Sequence, residues 1–311
     1  MTMRIAALFL SSLLGLAPAA HAQATASPAA SPAAQPAASP AARHYLWEVS
    51  SLTNKVYLYG TVHAGKESFF PLPAPVREAF ADSGVLAVEA DITDAKAMAK
   101  GASSMVYTPP DTLAKHVPRP LYERFLKLAA RGNLAEADVA PLKPFFAASL
   151  LAFSEWGRQG YLPQHGVDLH LILRARQEKK RMVELEGAQA QSDLMSSLTE
   201  KEQLQALEGA VVAMERGITR DQITGLVNAW QSGDPTLLLE VVNAYNEATP
   251  GAKELEQKFI WSRHEAMAKK IEDWLLAGRE RVFVAVGALH LAGPRGLVEI
   301  LRDRGYTVRQ L

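Results

Sequence analysis

Residues 56–63 read VYLYGTVH and residues 281–290 read RVFVAVGALH. Each is an apolar, β-like run that ends in a glycine, two further residues and a histidine, although most of the chain lies between them. Working outward from the first, residues 45–49 and 55–59 are rich in β-branched and aromatic side chains and are separated by Ser-Leu-Thr-Asn. They predict a hairpin whose second strand delivers Gly60, Thr61, Val62 and His63. A short helix after the proline-rich residues 71–75 leads to GVLAVEAD at residues 84–91, which reads as a buried strand ending in acids. Strand, helix, strand opens an α/β fold.

From about residue 112 to 176 the pattern is helical and broken by prolines, and a further strand-like run covers residues 180–185 before Glu186 and Gly187. Thr199 to Glu202 forms a capping box, and helices are expected over about 219–232, 236–248 and 252–276. The chain returns to β at 281–286, and a last helix and strand fill 296–311. The expected architecture is a largely parallel central sheet flanked by helices, with a mostly helical lobe from about 101–176 and 190–276 over one sheet edge.

The ends bound the cellular context. Residues 1–22 carry a charge at Arg4, a short apolar run and an Ala-His-Ala site, the anatomy of a cleaved secretory signal, so export to the periplasm or medium is expected with cleavage after Ala22. Residues 23–42 repeat Ala, Ser and Pro without a large apolar side chain, which predicts a disordered tether. The remaining 269 residues hold 32 basic and 33 acidic side chains, a balance that argues against a nucleic-acid surface or a polybasic membrane patch. They are enough for one large core, or for one core with an added lobe. No second apolar stretch reads as a membrane segment. There is no cysteine, so disulfides, a lipidated-cysteine anchor, a thiol nucleophile and thiolate metal ligands are all absent.

Four candidate strands end in chemically capable side chains: His63, Glu89, Glu186 and His290. The carboxyl ends of parallel strands share one edge, where ligands sit, so parallel strands here would bring the four together. The bland alternative is that each histidine satisfies backbone groups beside a turn. No phosphate loop, Gly-x-Ser-x-Gly elbow or His-Glu-x-x-His helix occurs, which removes the common nucleotide, serine-hydrolase and zincin readings.

With its two Gly-x-x-His motifs and the intervening Val88-Glu89-Ala90-Asp91, the chain resembles the TraB/GumN family from residue 45 to 311. That family is related to the Tiki metalloproteases and more distantly to erythromycin esterase and ChaN-like proteins. Gly166-Val167-Asp168, Leu185-Glu186 followed by Gln191, and Arg263 also match. His264 departs from the asparagine that often follows the arginine. The resemblance implies a metal-dependent hydrolase acting on a peptide or protein, with an esterase or other acyl hydrolase, or a haem- or ligand-binding protein, as alternatives.

In this reading His63 and His290 are metal ligands together with Glu89, Glu186 or both; Glu89, Glu186 and Arg263 are the catalytic candidates, and the division of ligand and base between the two glutamates stays open. Two imidazoles with carboxylates form a mixed N/O set for a divalent metal; the Tiki relationship favours Mn or Co, with Zn next. Arg263 either stabilises an oxyanion or forms a helix-surface ion pair with Glu256 or Glu265. Asp168 and Gln191 either orient the histidines or cap helices and turns. The residues His165, Asp168 and His170 are spaced badly for chelation on a helix. His44, His116 and His264 read as surface or cap residues.

Overall fold

The computed structural model describes residues 43–278 and 280–311; the expected signal, 1–22, and tether, 23–42, lie outside the described residues. Among the described residues six strands form one sheet: β1 (Leu46–Ser50), β2 (Lys55–Thr61), β3 (Val85–Val88), β4 (Arg181–Glu184), β5 (Val282–Gly287) and β6 (Thr307–Gln310). Their spatial order is β4-β3-β5-β2-β1-β6. β4, β3, β5 and β2 run parallel to one another, and β1 pairs antiparallel with both β2 and β6. The expected hairpin and the largely parallel sheet are therefore present.

Burial explains the order. β2, β3 and β5 are buried along almost their whole length, the environment that continuous apolar runs such as Val-Leu-Ala-Val require, and they occupy the middle. Strand β4, whose residues are exposed or half-buried, takes an edge. Parallel pairing of β2, β5 and β3 places the chain after each strand at the same edge of the sheet, as Thr61↔Gly287 and Val88↔Ala285 show.

Two apolar cores result. One packs the sheet against flanking helices through side chains such as Val76, Phe80, Ile172, Trp230, Leu238, Ile271 and Leu301. The other lies between the helices Arg119–Arg131, Pro144–Arg158 and Glu200–Glu215, around Phe125, Leu128, Phe146, Leu151, Leu207 and Val211. The helices Ile218–Gln231 and Pro235–Ala248 match the expected pair and pack on the sheet core. The capping box forms as read: the Glu202 amide donates to Thr199 Oγ1 at 3.2 Å and the Thr199 amide to Glu202 Oε2 at 2.7 Å.

The expected helix over 252–276 is broken. Ala252–Phe259 and His264–Ala277 are helical, and the 3-10 turn Trp261–Arg263 separates them. An unbroken helix would give the Phe259 carbonyl to the Arg263 amide. Here that amide donates to Ile260 O, and the Phe259 carbonyl accepts Arg263 Nη1 at 2.7 Å instead. The break is thus closed by the arginine side chain that it turns inward.

Candidate functional site

His63 follows β2 by two residues. Its backbone carbonyl packs against Gly166, where a Cβ would come within 2.5 Å, and Val167 N donates to Val62 O at 2.9 Å. That contact seats the start of the helix Val167–Gln177 beside the β2 exit and puts Asp168 in the helix's first turn, where the helix dipole favours a carboxylate. Asp168 then accepts from His63 Nδ1 at 2.9 Å and, through its other oxygen, from Thr61 Oγ1. The tautomer follows: with Nδ1 donating to a carboxylate, the second nitrogen, Nε2, faces the cleft, and 63% of the His63 side chain stays accessible there.

Glu89 stands one residue beyond β3. The β3–β4 ladder continues past both strands, because Glu186 N and Gly187 N donate to Glu89 O at 3.1 and 3.0 Å. Both glutamates are thereby held side by side. Glu89 Oε1 accepts from the Gly287 amide at 2.8 Å, and Glu89 Oε2 accepts from Arg263 Nη2 at 2.6 Å. Arg263 also grips Glu186, with Nε 2.8 Å from Oε1 and Nη2 on Oε2. The side chains of Arg263, Glu89 and Glu186 are 12%, 13% and 14% exposed. Arg263 therefore pairs with neither Glu256 nor Glu265 but with acids 174 and 77 positions away.

His290 lies in the 3-10 turn Ala288–Leu291 that follows β5 and is 2% exposed. Its Nε2 is 3.3 Å from Arg263 Nη1 and 3.6 Å from Glu89 Oε1, and its Nδ1 is 2.8 Å from His264 Nε2. His264 is equally buried and bonds the Arg295 carbonyl through Nδ1 at 2.6 Å. The surface or cap role expected for His264 is wrong: burial under the turn that carries His290 was not visible in its local sequence. Gln191 reaches Glu89 Oε2 at 3.4 Å rather than a histidine. His170 stacks on Phe70, and His165 sits in the short turn Pro163–His165 ahead of the helix that carries Asp168.

Gly287 joins the three groups. A Cβ at that position would stand 3.5 Å from Glu89 Oε1, 3.6 Å from His290 Cδ2 and 3.7 Å from His63 Nε2. Side chains from β2, β3 and β5 therefore surround one point above this glycine. Gly60 lies inside β2 and Gly287 is the last residue of β5, at the entry to the turn that carries His290; neither has a positive φ. Gly60 is needed because a Cβ there would collide with the Tyr45 ring, and its carbonyl accepts the Trp230 indole N–H at 2.7 Å.

The charges follow from these contacts. Asp168 raises the His63 pKa to about 9 against the opposing effect of burial. Burial lowers that of His290 to about 3, leaving it neutral. For Glu89 burial opposes ionisation, yet His290, Arg263 and His63 together with the Gly287 amide outweigh it and hold the pKa at about 2. With His290 neutral at neutral pH, Arg263 and the protonated His63 are the cations behind that effect.

These shifts have opposite signs in stability. An unfolded histidine takes up a proton below about 6.5, whereas folded His290 does not do so until about 3, so stability falls as pH drops through that window. Folded His63 keeps a proton that the unfolded chain loses between about 6.5 and 9, so stability also falls as pH rises there. Urea midpoints of the metal-free protein should peak near pH 6.5. The acid limb should become shallower between about pH 6.5 and 4.5 in His290→Leu, while the fall below that, where Glu89 is protonated on unfolding, should remain; an unchanged slope in the upper window would contradict the assignment.

Two cavities meet at the polar groups. One of about 510 Å³ is walled by Leu226, Leu238, Val242 and Leu255, and the other, of about 620 Å³, by Ile92, Met98, Leu134 and Leu150; His63, Glu89 and Phe153 line both. The donor set of two imidazoles and a carboxylate suits a divalent ion, and both rings have Nδ1 engaged by a protein partner, as metal-ligating histidines do. The donors are not drawn together in this arrangement: among the described residues no three His, Asp or Glu side chains form a metal-holding group.

The sequence profile of the TraB/PrgY/gumN family matches residues 45–310. The chain belongs to this family. The uncharacterized protein YbaP of Escherichia coli K12 is 22% identical over 83% of this chain and 94% of its own length. The metalloproteases TIKI2 and TIKI1 of Xenopus tropicalis are each 23% identical over 85% of this chain, covering 59% and 61% of their own lengths. No solved structure matches. In this TraB/PrgY/gumN family member the two Gly-x-x-His motifs and Glu89 are thus side by side in space, and the distant likeness to metalloproteases suggests a hydrolase.

Proposed function

We propose that the chain is an exported, divalent-metal-dependent peptidase. The convergence of His63 Nε2, His290 and Glu89 Oε1 on the space above Gly287 carries this reading; the likeness to metalloproteases supports it. His63 and His290 would hold the ion through Nε2, with Glu89 as the carboxylate ligand. Mn or Co is favoured, and Zn is the next choice. When bound, the ion would supply Lewis acidity toward water and an amide carbonyl.

The protein groups divide the remaining work. Glu186, held beside Glu89 by Arg263, is assigned the proton that water gives up as its oxygen adds to the carbonyl carbon. When the C–N bond breaks, that proton passes to the leaving amine. Arg263 keeps its charge at any working pH; it holds both carboxylates in place, and its field favours an oxyanion developing beside them. The apolar cavities on either side hold the flanking residues of the peptide and exclude water.

Purified natively exported protein should begin at or near Gln23 by mass spectrometry, and metal analysis should find a divalent ion. His63→Ala and His290→Ala should each lose that ion and all peptide hydrolysis. Glu186→Gln should retain the ion and slow hydrolysis by about 10²- to 10⁴-fold. Peptides with apolar residues on both sides of the scissile bond should be the better substrates. Full metal content and full hydrolysis in both histidine variants would reduce the paired motifs to structural turns.

A further inference from the structure

His264 and His290 form a chain of two buried imidazoles that ends on a backbone carbonyl, and hydrogen-bond roles along it can be assigned from one end. Arg295 O only accepts, so His264 Nδ1, 2.6 Å away, carries a hydrogen. In a neutral ring the other nitrogen is then a bare acceptor. His264 Nε2 therefore accepts from His290 Nδ1 at 2.8 Å, which makes Nδ1 the protonated nitrogen of His290. The Nε2 lone pair of His290 is left facing the site, where Arg263 Nη1 donates toward it at 3.3 Å. The opposite wiring places a proton on His290 Nε2 against that arginine donor, with Glu89 Oε1 at 3.6 Å too far to accept it.

We infer that His264 is a positioning residue that fixes the tautomer and ring orientation of His290, so that Nε2 is presented with its lone pair free. Its own anchor is braced by side-chain contacts. Trp261 meets the His264 ring edge to face at 5.3 Å, Arg295 stacks over Trp261 at 5.2 Å, and Arg295 Nη2 bonds Gln257 Oε1 at 2.6 Å. The carbonyl at the end of the wire is thus held by contacts to the same helix break that delivers His264. The break also separates the tasks of adjacent residues: Arg263 turns to Glu89 and Glu186, and His264 to His290.

On the opposite side of the site Asp168 fixes the orientation of the His63 ring through Nδ1 at 2.9 Å. One histidine is set by a carboxylate and the other by a neutral imidazole. The wiring is a property of the chain itself; only its consequence for metal binding rests on the proposed peptidase reading.

The chemistry of the wire predicts which substitution can replace His264. An asparagine has a carbonyl to accept from His290 Nδ1 and an amide to donate to Arg295 O, whereas leucine has neither. Two-dimensional ¹H–¹⁵N spectra of histidine-labelled, metal-free protein report which ring nitrogen bears the hydrogen. Wild type and His264→Asn should show His290 protonated at Nδ1. His264→Leu should shift that ring toward the Nε2-protonated form, and titration with Co²⁺ should show affinity reduced by about 10- to 100-fold, with His264→Asn within a few-fold of wild type.

A wild-type tautomer and Co²⁺ affinity in His264→Leu would overturn the inference, as would His264→Asn behaving like His264→Leu. If the tautomer shifts as expected but wild type binds no Co²⁺, the positioning role of His264 stands and the metal reading falls.

Discussion

Arg263→Met is expected to lower the stability of the folded chain by about 3 to 5 kcal/mol, because it strips the guanidinium partner from two largely buried carboxylates at once. The guanidinium donates to both Glu89 and Glu186 and fills the break in the 252–277 segment by bonding the Phe259 carbonyl. Removing it leaves three acceptors without that donor in a region where each carboxylate side chain is about one-seventh exposed or less. Arg263→Lys keeps one charge but not the planar fork, so it should lie between wild type and Arg263→Met. Adding Glu186→Gln to Arg263→Met should recover part of the loss, since one uncompensated charge is then gone. Urea denaturation of the three variants checks this. A loss below about 1 kcal/mol for Arg263→Met would mean that the triad is solvated like a surface ion pair.

The second large effect is on function, with stability nearly untouched. Gly287 has φ −52° and ψ 136°, a conformation open to any residue, and its added Cβ would make only ordinary contacts of 3.5 to 3.7 Å. Gly287→Ala should therefore shift the urea midpoint by less than about 1 kcal/mol. The new methyl would nevertheless occupy the space that Glu89 Oε1, His290 and His63 Nε2 surround. Peptide hydrolysis should fall by at least about 10²-fold, the scale of losses from ångström-level misplacement, with weaker retention of the metal. The contrasting substitution is Gly60→Ala, whose Cβ would strike the Tyr45 ring and the Ala288 Cα, so its cost should appear in folding. Wild-type hydrolysis in a well-folded Gly287→Ala protein would show that the reaction centre lies elsewhere in the cleft.

Much of the site was legible because it lies at the ends of strands whose apolar runs are unambiguous. His63, Glu89 and His290 follow β2, β3 and β5, and parallel pairing of those strands brings them to one edge. Asp168 was legible through the Gly-Val-Asp match, and its contact with His63 Nδ1 gives that match a physical role. The alternatives for Arg263 could not be separated in sequence, since Glu256 and Glu265 are neighbours in the chain while its actual partners come from the ends of β3 and β4. His264 offered even less. A histidine one residue after an arginine looks exposed until the break at Ile260 turns it under the β5 exit.

What the sequence determined by itself is what local patterning can carry: the central strands from uninterrupted apolar runs, the Thr199–Glu202 cap from its spacing, and the α/β class from the alternation of elements. Tertiary structure alone decided that β5 inserts between β2 and β3, which is what closes the distance between motifs more than two hundred residues apart. It also decided that one helix would break to supply Arg263 and His264 to different partners, and that the glycines would be required for close approach and open space. These features depend on groups far apart in the chain competing for the same buried hydrogen bonds, and no local window of sequence contains that competition.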